Sequence, residues 1–114
     1  MSDKIWLRSY PPGMPAEIGI SPFSSVPELL EDTIRRYADK PAFHNLGHTI
    51  SFSELDRLSR DLAAYLQSLS GLTKGERVAI MLPNLLQYPV VLFGILRAGL
   101  TVVNINPLYT AREL

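Results

Sequence analysis

Val78-Ala79-Ile80-Met81-Leu82, then Pro83-Asn84, then the segment from Leu85 to Ala98, then Gly99 and Leu100-Thr101-Val102-Val103-Asn104-Ile105: this order decides the fold. The two short runs are apolar at successive positions, as in strands of a parallel sheet covered on both faces. The segment between them has helical length and is apolar on nearly every side, with only Gln87 and Arg97 strongly polar. Strand, buried helix and strand make a βαβ unit, whose crossover is expected to be right-handed. The strands are expected over 78–82 and 100–105, and the helix over 85–98. Pro89 is expected to cost that helix one hydrogen bond near its first turn.

Upstream, the signals are amphipathic. Ser53-Glu54-Leu55-Asp56 opens a helix whose stripe is Leu55, Leu58, Leu62, Leu66 and Leu69, opposite Asp56, Arg57, Arg60, Asp61 and Gln67. Gly71 fits a left-handed cap at its end. Before it, Ala42 to Asn45 and His48 to Phe52 flank Leu46-Gly47 and read as a short hairpin. Earlier still, Ser25-Val26-Pro27-Glu28 is a capping box. Val26, Leu29, Leu30, Thr33, Ile34, Tyr37 and Ala38 then share one helical face, with Glu31/Arg35 and Asp32/Arg36 as outward acid-before-base pairs. Pro41 forces Lys40 out of the helical region and ends the element near Asp39.

Residues 1–24 hold Pro11, Pro12, Pro15 and Pro22 without any sustained period and are expected to form an extended arm. Its Trp6, Tyr10 and Phe23 are expected to lie on an apolar surface. Residues 25–114 are then read as an incomplete α/β subdomain. Thr110-Ala111-Arg112-Glu113 is a second capping box with only Leu114 after it, and so short a segment does not sustain a helix. On that ground the chain is expected to be a fragment of a larger domain.

Composition removes several classes. Eleven basic and eleven acidic residues cancel, which argues against a nucleic-acid partner and its basic footprint. No cysteine is present, which excludes disulfides, thiol nucleophiles and Cys-ligated zinc. No apolar run follows Lys4 and Arg8 to make a targeting signal. The segment from Leu82 to Ile105 is interrupted by Pro83, Asn84, Gln87, Pro89, Arg97 and Asn104, so it reads as core and not as a membrane span.

Candidate chemistry is sparse. His44 and His48 flank the hairpin turn but have no Cys, Asp or Glu in the hairpin to complete a metal site. Ser68 to Gly75 looks like a phosphate loop only superficially, because it follows a helix and precedes a strand, the reverse of the usual order. Asp56, Arg60 and Asp61 are read as a solvated helix face. Asn106-Pro107-Leu108 is different, since it leaves the carboxyl end of a parallel strand, where ligands gather in open α/β sheets. Two readings stand for it: a ligand contact offering free backbone N–H groups, or an ordinary loop that starts a helix at Thr110.

A resemblance goes further than these patterns. Arg77 to Asn84 and its continuation Leu85 to Gly99, with Asn104-Ile105-Asn106-Pro107-Leu108-Tyr109-Thr110, resemble the N-terminal region of bacterial long-chain fatty acid–CoA ligases of the adenylate-forming superfamily. Arg36 to Phe43 and Trp6 to Pro11 extend the similarity. The resemblance implies the beginning of a large N-terminal α/β domain with a hairpin, amphipathic helices and one parallel βαβ unit. It implies ATP and magnesium for the parent enzyme, coenzyme A as co-substrate, a fatty acid substrate and a homodimer. It also implies a cytoplasmic enzyme peripheral to the inner face of the cell membrane. No position matches the family's catalytic or metal-binding motifs, so no catalytic or metal-binding residue is carried over. The resemblance further implies that Asn106, Pro107 and Leu108 form part of the rim where the coenzyme A nucleotide rests. Other readings stand beside it: a medium-chain or aryl acid–CoA ligase, or a free-standing α/β interaction module.

Overall fold

The structure, a computed structural model, describes residues 4–114, so the first three residues of the arm lie outside the described residues. A 3-10 turn at Ile5–Ser9 is followed by α1 (Val26–Tyr37), β1 (Pro41–Asn45), β2 (His48–Ser51) and α2 (Phe52–Ser68). Next come β3 (Arg77–Ile80), α3 (Gln87–Arg97) and β4 (Thr101–Asn104). The strands form two separate sheets. β1 and β2 pair antiparallel, while β3 and β4 pair parallel, with Val78 opposite Val102 and Ile80 opposite Asn104.

Local chemistry sets the element boundaries. The Ser25 hydroxyl accepts from the Glu28 N–H and starts α1. The Glu28 carboxylate reaches back one residue further than a capping box requires, accepting from the N–H and hydroxyl of Ser24. Those bonds hold its carboxyl below the usual range. On the outer face Asp32 takes both Arg35 and Arg36, so the expected Glu31/Arg35 pair is replaced by Asp32/Arg35. α2 begins earlier than Ser53, because Ser51 is the cap and accepts from Glu54 N–H. Leu46 and Gly47 both take positive φ, which turns the hairpin in two residues. α2 ends at Ser68, and Gly71 at φ 89° sits in the following turn, closed by Leu72 N–H on Leu69 O.

The core lies between the β3–β4 ladder and the helices. Ile80, Ile95, Ala98 and Leu100 are buried with Ala63 and Leu66 of α2. A second cluster joins Leu30, Ile50 and Leu55 under α1 and the hairpin. Pro89 falls at the third residue of α3, where an N–H has no intrahelical partner, so the expected cost of one hydrogen bond does not arise. Among the described residues one face of the parallel pair is covered. Val78, Ile80 and Val102 face the core, whereas Met81 and Val103 are exposed on the opposite side.

The arm differs in part from its expectation. It contains the 3-10 turn, and Lys4 pairs with Glu17. Trp6 and Tyr10 are exposed and only Phe23 is half-buried, so these aromatics do not share an apolar bed within the described residues. The radius of gyration is 17.9 Å, against about 13 Å for a compact chain of this length. The arm, exposed at nearly every position, thus extends away from the packed elements. No helix among the described residues is long and apolar enough to cross a membrane.

Candidate functional site

Both strands of the parallel pair end on one edge, and two loops leave it. Residues 81–86 lead from β3 into α3, and residues 105–109 leave β4. The ladder continues one bond past β4, with Ile105 N–H donating to Ile80 O at 2.9 Å. Beyond that point Asn106 organises the chain. Its side-chain Oδ1 accepts from Leu108 N–H at 3.0 Å, and its carbonyl accepts from Tyr109 N–H at 3.0 Å. Pro107 sits at the first corner of this turn, where its fixed φ is favourable.

This geometry removes most of the expected free donors. Pro107 has no N–H, and those of Leu108 and Tyr109 are spent on Asn106. Thr110 N–H donates to Glu113 Oε2 at 2.8 Å, and its hydroxyl does so at 2.7 Å. The two bonds hold the Glu113 carboxyl below its ordinary range. Residues 110–113 form a turn here. What the loop presents outward is the Leu108 side chain, 85% exposed.

The neighbouring loop is tied at two points. Asn45 Nδ2 donates to the carbonyl of Asn84, joining the hairpin to the β3–α3 connection. Tyr88 Oη donates to Asn104 Oδ1 at 2.8 Å, joining the first turn of α3 to the last residue of β4. A cleft of about 310 Å3 opens beside this edge, lined by Phe43, His44, Asn84, Tyr88, Pro89 and Phe93 among others. Among the described residues no lysine or arginine lines it, and its wall is mainly apolar.

The other sequence candidates take structural places. Register sets His44 opposite Thr49 and His48 opposite Asn45, so the two imidazoles leave opposite faces of the hairpin. His44 Nδ1 instead contacts Thr49 Oγ1 at 2.6 Å. Among the described residues no group of three His, Cys, Asp or Glu side chains is placed to hold a metal ion. Of the segment from Ser68 to Gly75, Ser68 closes α2 and residues 69–75 are turns and irregular chain leading to β3. Tyr88 and Asn104 escape assignment from sequence because they are sixteen positions apart and no local spacing joins them.

Asp56 is not simply a solvated residue. It accepts from Arg97 Nη2 at 2.6 Å and from Arg60 Nε at 2.9 Å. Burial works against its charged form, but hydrogen bonds and charges from Arg60 and Arg97 outweigh that and lower its pKa. A carboxylate lowered in the folded state contributes stability above its unfolded value of about 3.9, and loses it as pH falls through the folded value. Stability of the full-length protein should therefore drop on the acid side below about pH 4. Urea unfolding across that range should show a flatter acid limb for Asp56→Asn.

A parallel strand–helix–strand unit with both loops on its carboxyl edge defines an α/β protein of the kind that gathers ligands at that edge. Residues 30–114 match the AMP-binding enzyme family, and the chain belongs to it. A long-chain-fatty-acid–CoA ligase of Salmonella typhimurium is 60% identical over 111 residues, covering 97% of this chain and 20% of the relative. The ligase of the same name from Yersinia pestis is 57% identical over 112 residues, covering 98% and 20%. Among solved structures, the N-terminal subdomain of Klebsiella oxytoca NpsA superposes with a TM-score of 0.74 at 26% identity, covering 79% of this chain and 23% of that one. The chain thus spans about a fifth of the length of the curated relatives it matches.

Proposed function

We propose that this chain supplies the leading α/β segment of an ATP-dependent long-chain fatty acid–CoA ligase. The supporting observation is 57–60% identity to ligases of that name across nearly the whole chain. NpsA, which has been solved with 3-hydroxyanthranilyl-AMSN, is matched at only 26% identity, which favours the fatty acid reading over an aryl acid one. In the proposed reaction the fatty acid carboxylate attacks the α-phosphorus of ATP, and pyrophosphate leaves. The coenzyme A thiol then attacks the acyl carbonyl, loses its proton, and AMP leaves. The first step needs charge neutralisation around the phosphates. Magnesium would supply part of it in the parent enzyme, but the described residues offer no ligand cluster for the ion and are not fitted to hold it.

Within that reaction the loop Asn106-Pro107-Leu108 is proposed to form part of the coenzyme A rim, through the exposed Leu108 side chain and not through the N–H groups of Leu108 or Tyr109. The test uses the full-length protein. Palmitate should drive ATP–pyrophosphate exchange and acyl-CoA formation more efficiently than octanoate or benzoate. An opposite preference refutes the long-chain reading. Leu108→Glu should raise the KM for coenzyme A and leave exchange unchanged, because adenylation does not use the thiol. Equal loss in both half-reactions refutes the rim assignment. The 114 residues alone should show only background exchange.

A further inference from the structure

We infer that Tyr88 and Asn104 form a clasp that positions the Asn106–Leu108 turn, so that Tyr88 is a positioning residue for the thioester-forming half-reaction. This rests on the proposed coenzyme A rim. The Tyr88 ring packs on the core cluster that contains Ile80 and Ile95, which fixes the base of the side chain. Its hydroxyl reaches the strand end and donates to Asn104 Oδ1 at 2.8 Å. Register explains why the two meet. Asn104 pairs with Ile80 and shares the core-facing side of β4 with Val102, the side on which α3 lies.

The placement matters because the chain has few other restraints there. After Ile105 N–H on Ile80 O, the turn is held by bonds internal to Asn106, Leu108 and Tyr109. Those bonds fix the shape of the turn but not its direction relative to the sheet. Asn104 carries the last side chain hydrogen-bonded to another element before the turn begins, and Tyr88 is its partner. A turn released from that tie keeps its internal bonds and loses its aim.

The experiment compares full-length protein with Tyr88→Phe, Asn104→Ala, the double variant and Leu108→Glu. Tyr88→Phe keeps the ring and removes only the hydroxyl. One hydrogen bond is worth at most about tenfold in an equilibrium. The KM for coenzyme A should therefore rise several-fold, with ATP–pyrophosphate exchange unchanged. Asn104→Ala should match it, and the double variant should add nothing further. Hydrogen exchange of peptides spanning 104–110 should quicken in Tyr88→Phe, while peptides from β3 stay protected. Multiplicative effects in the double variant, or equal loss in both half-reactions, overturn the clasp. If Leu108→Glu raises the KM and Tyr88→Phe does not, the clasp fails and the rim stands. If neither moves it, the rim reading fails and the clasp's role falls with it.

Discussion

Asp56→Ala should be among the most damaging single changes in this chain, costing about 3–5 kcal/mol in an unfolding measurement on the full-length protein. Arg97 lies on α3 with its side chain only 6% exposed. Its guanidinium donates to the Asp56 carboxylate at 2.6 Å, to the Asp56 carbonyl at 3.0 Å and to Ser59 Oγ at 3.0 Å. Removing the carboxylate leaves a buried cation with neutral acceptors alone. Arg97→Leu should cost less, because Asp56 keeps Arg60 and is partly exposed. The double change Asp56→Ala/Arg97→Leu should be milder than Asp56→Ala, since replacing both members of a buried pair with apolar groups is often near neutral. A loss for the double change equal to the sum of the singles would refute this coupling.

Gly94→Val should cost about 3 kcal/mol, the upper part of the range for overpacking. Gly94 is buried in α3, where a Cβ would lie 2.8 Å from Leu62 Cδ2 and 3.0 Å from Leu62 Cβ. Those distances leave no room for a methyl group unless Leu62 turns away or α2 shifts from α3. Gly94→Ala regains about 1 kcal/mol of helix propensity, so its net loss should be smaller. Leu62→Ala combined with Gly94→Val should cost less than the two changes summed, which urea unfolding of the four proteins would measure. Additive losses would show that the helices do not meet at this point.

Much of this architecture could be read from local patterns. The short, largely apolar runs at 78–82 and 100–105, joined by a segment of helical length, imply a parallel pair, although Thr101 and Asn104 break the second run and only one face of the pair is covered among the described residues. The leucine spacing of α2 and the serine cap at 25 are likewise local, since caps and stripes act within one or two turns. α2 is capped by Ser51 and not by Ser53. Ser51 stands three residues before Glu54, the spacing of a capping box, and its hydroxyl accepts from the Glu54 N–H, so this boundary too is set by short-range chemistry. The Asn106-Pro107-Leu108 segment is legible as a strand-end loop, but the internal bonds that take up the Leu108 and Tyr109 N–H groups are not.

Periodicity, capping and the lengths of the apolar runs set the order and kind of the elements. Tertiary structure decided which side chains meet. Asp56 looks like one more surface charge until α3 lays Arg97 beside it, 41 positions away. Gly94 looks like a weak point in a helix until Leu62 fills the space above it. Tyr88 and Asn104 become partners only because a parallel crossover returns the chain to the same edge. Contacts of that kind depend on how whole elements pack, and packing is set by the joint shape of both faces, not by the spacing of residues along either one.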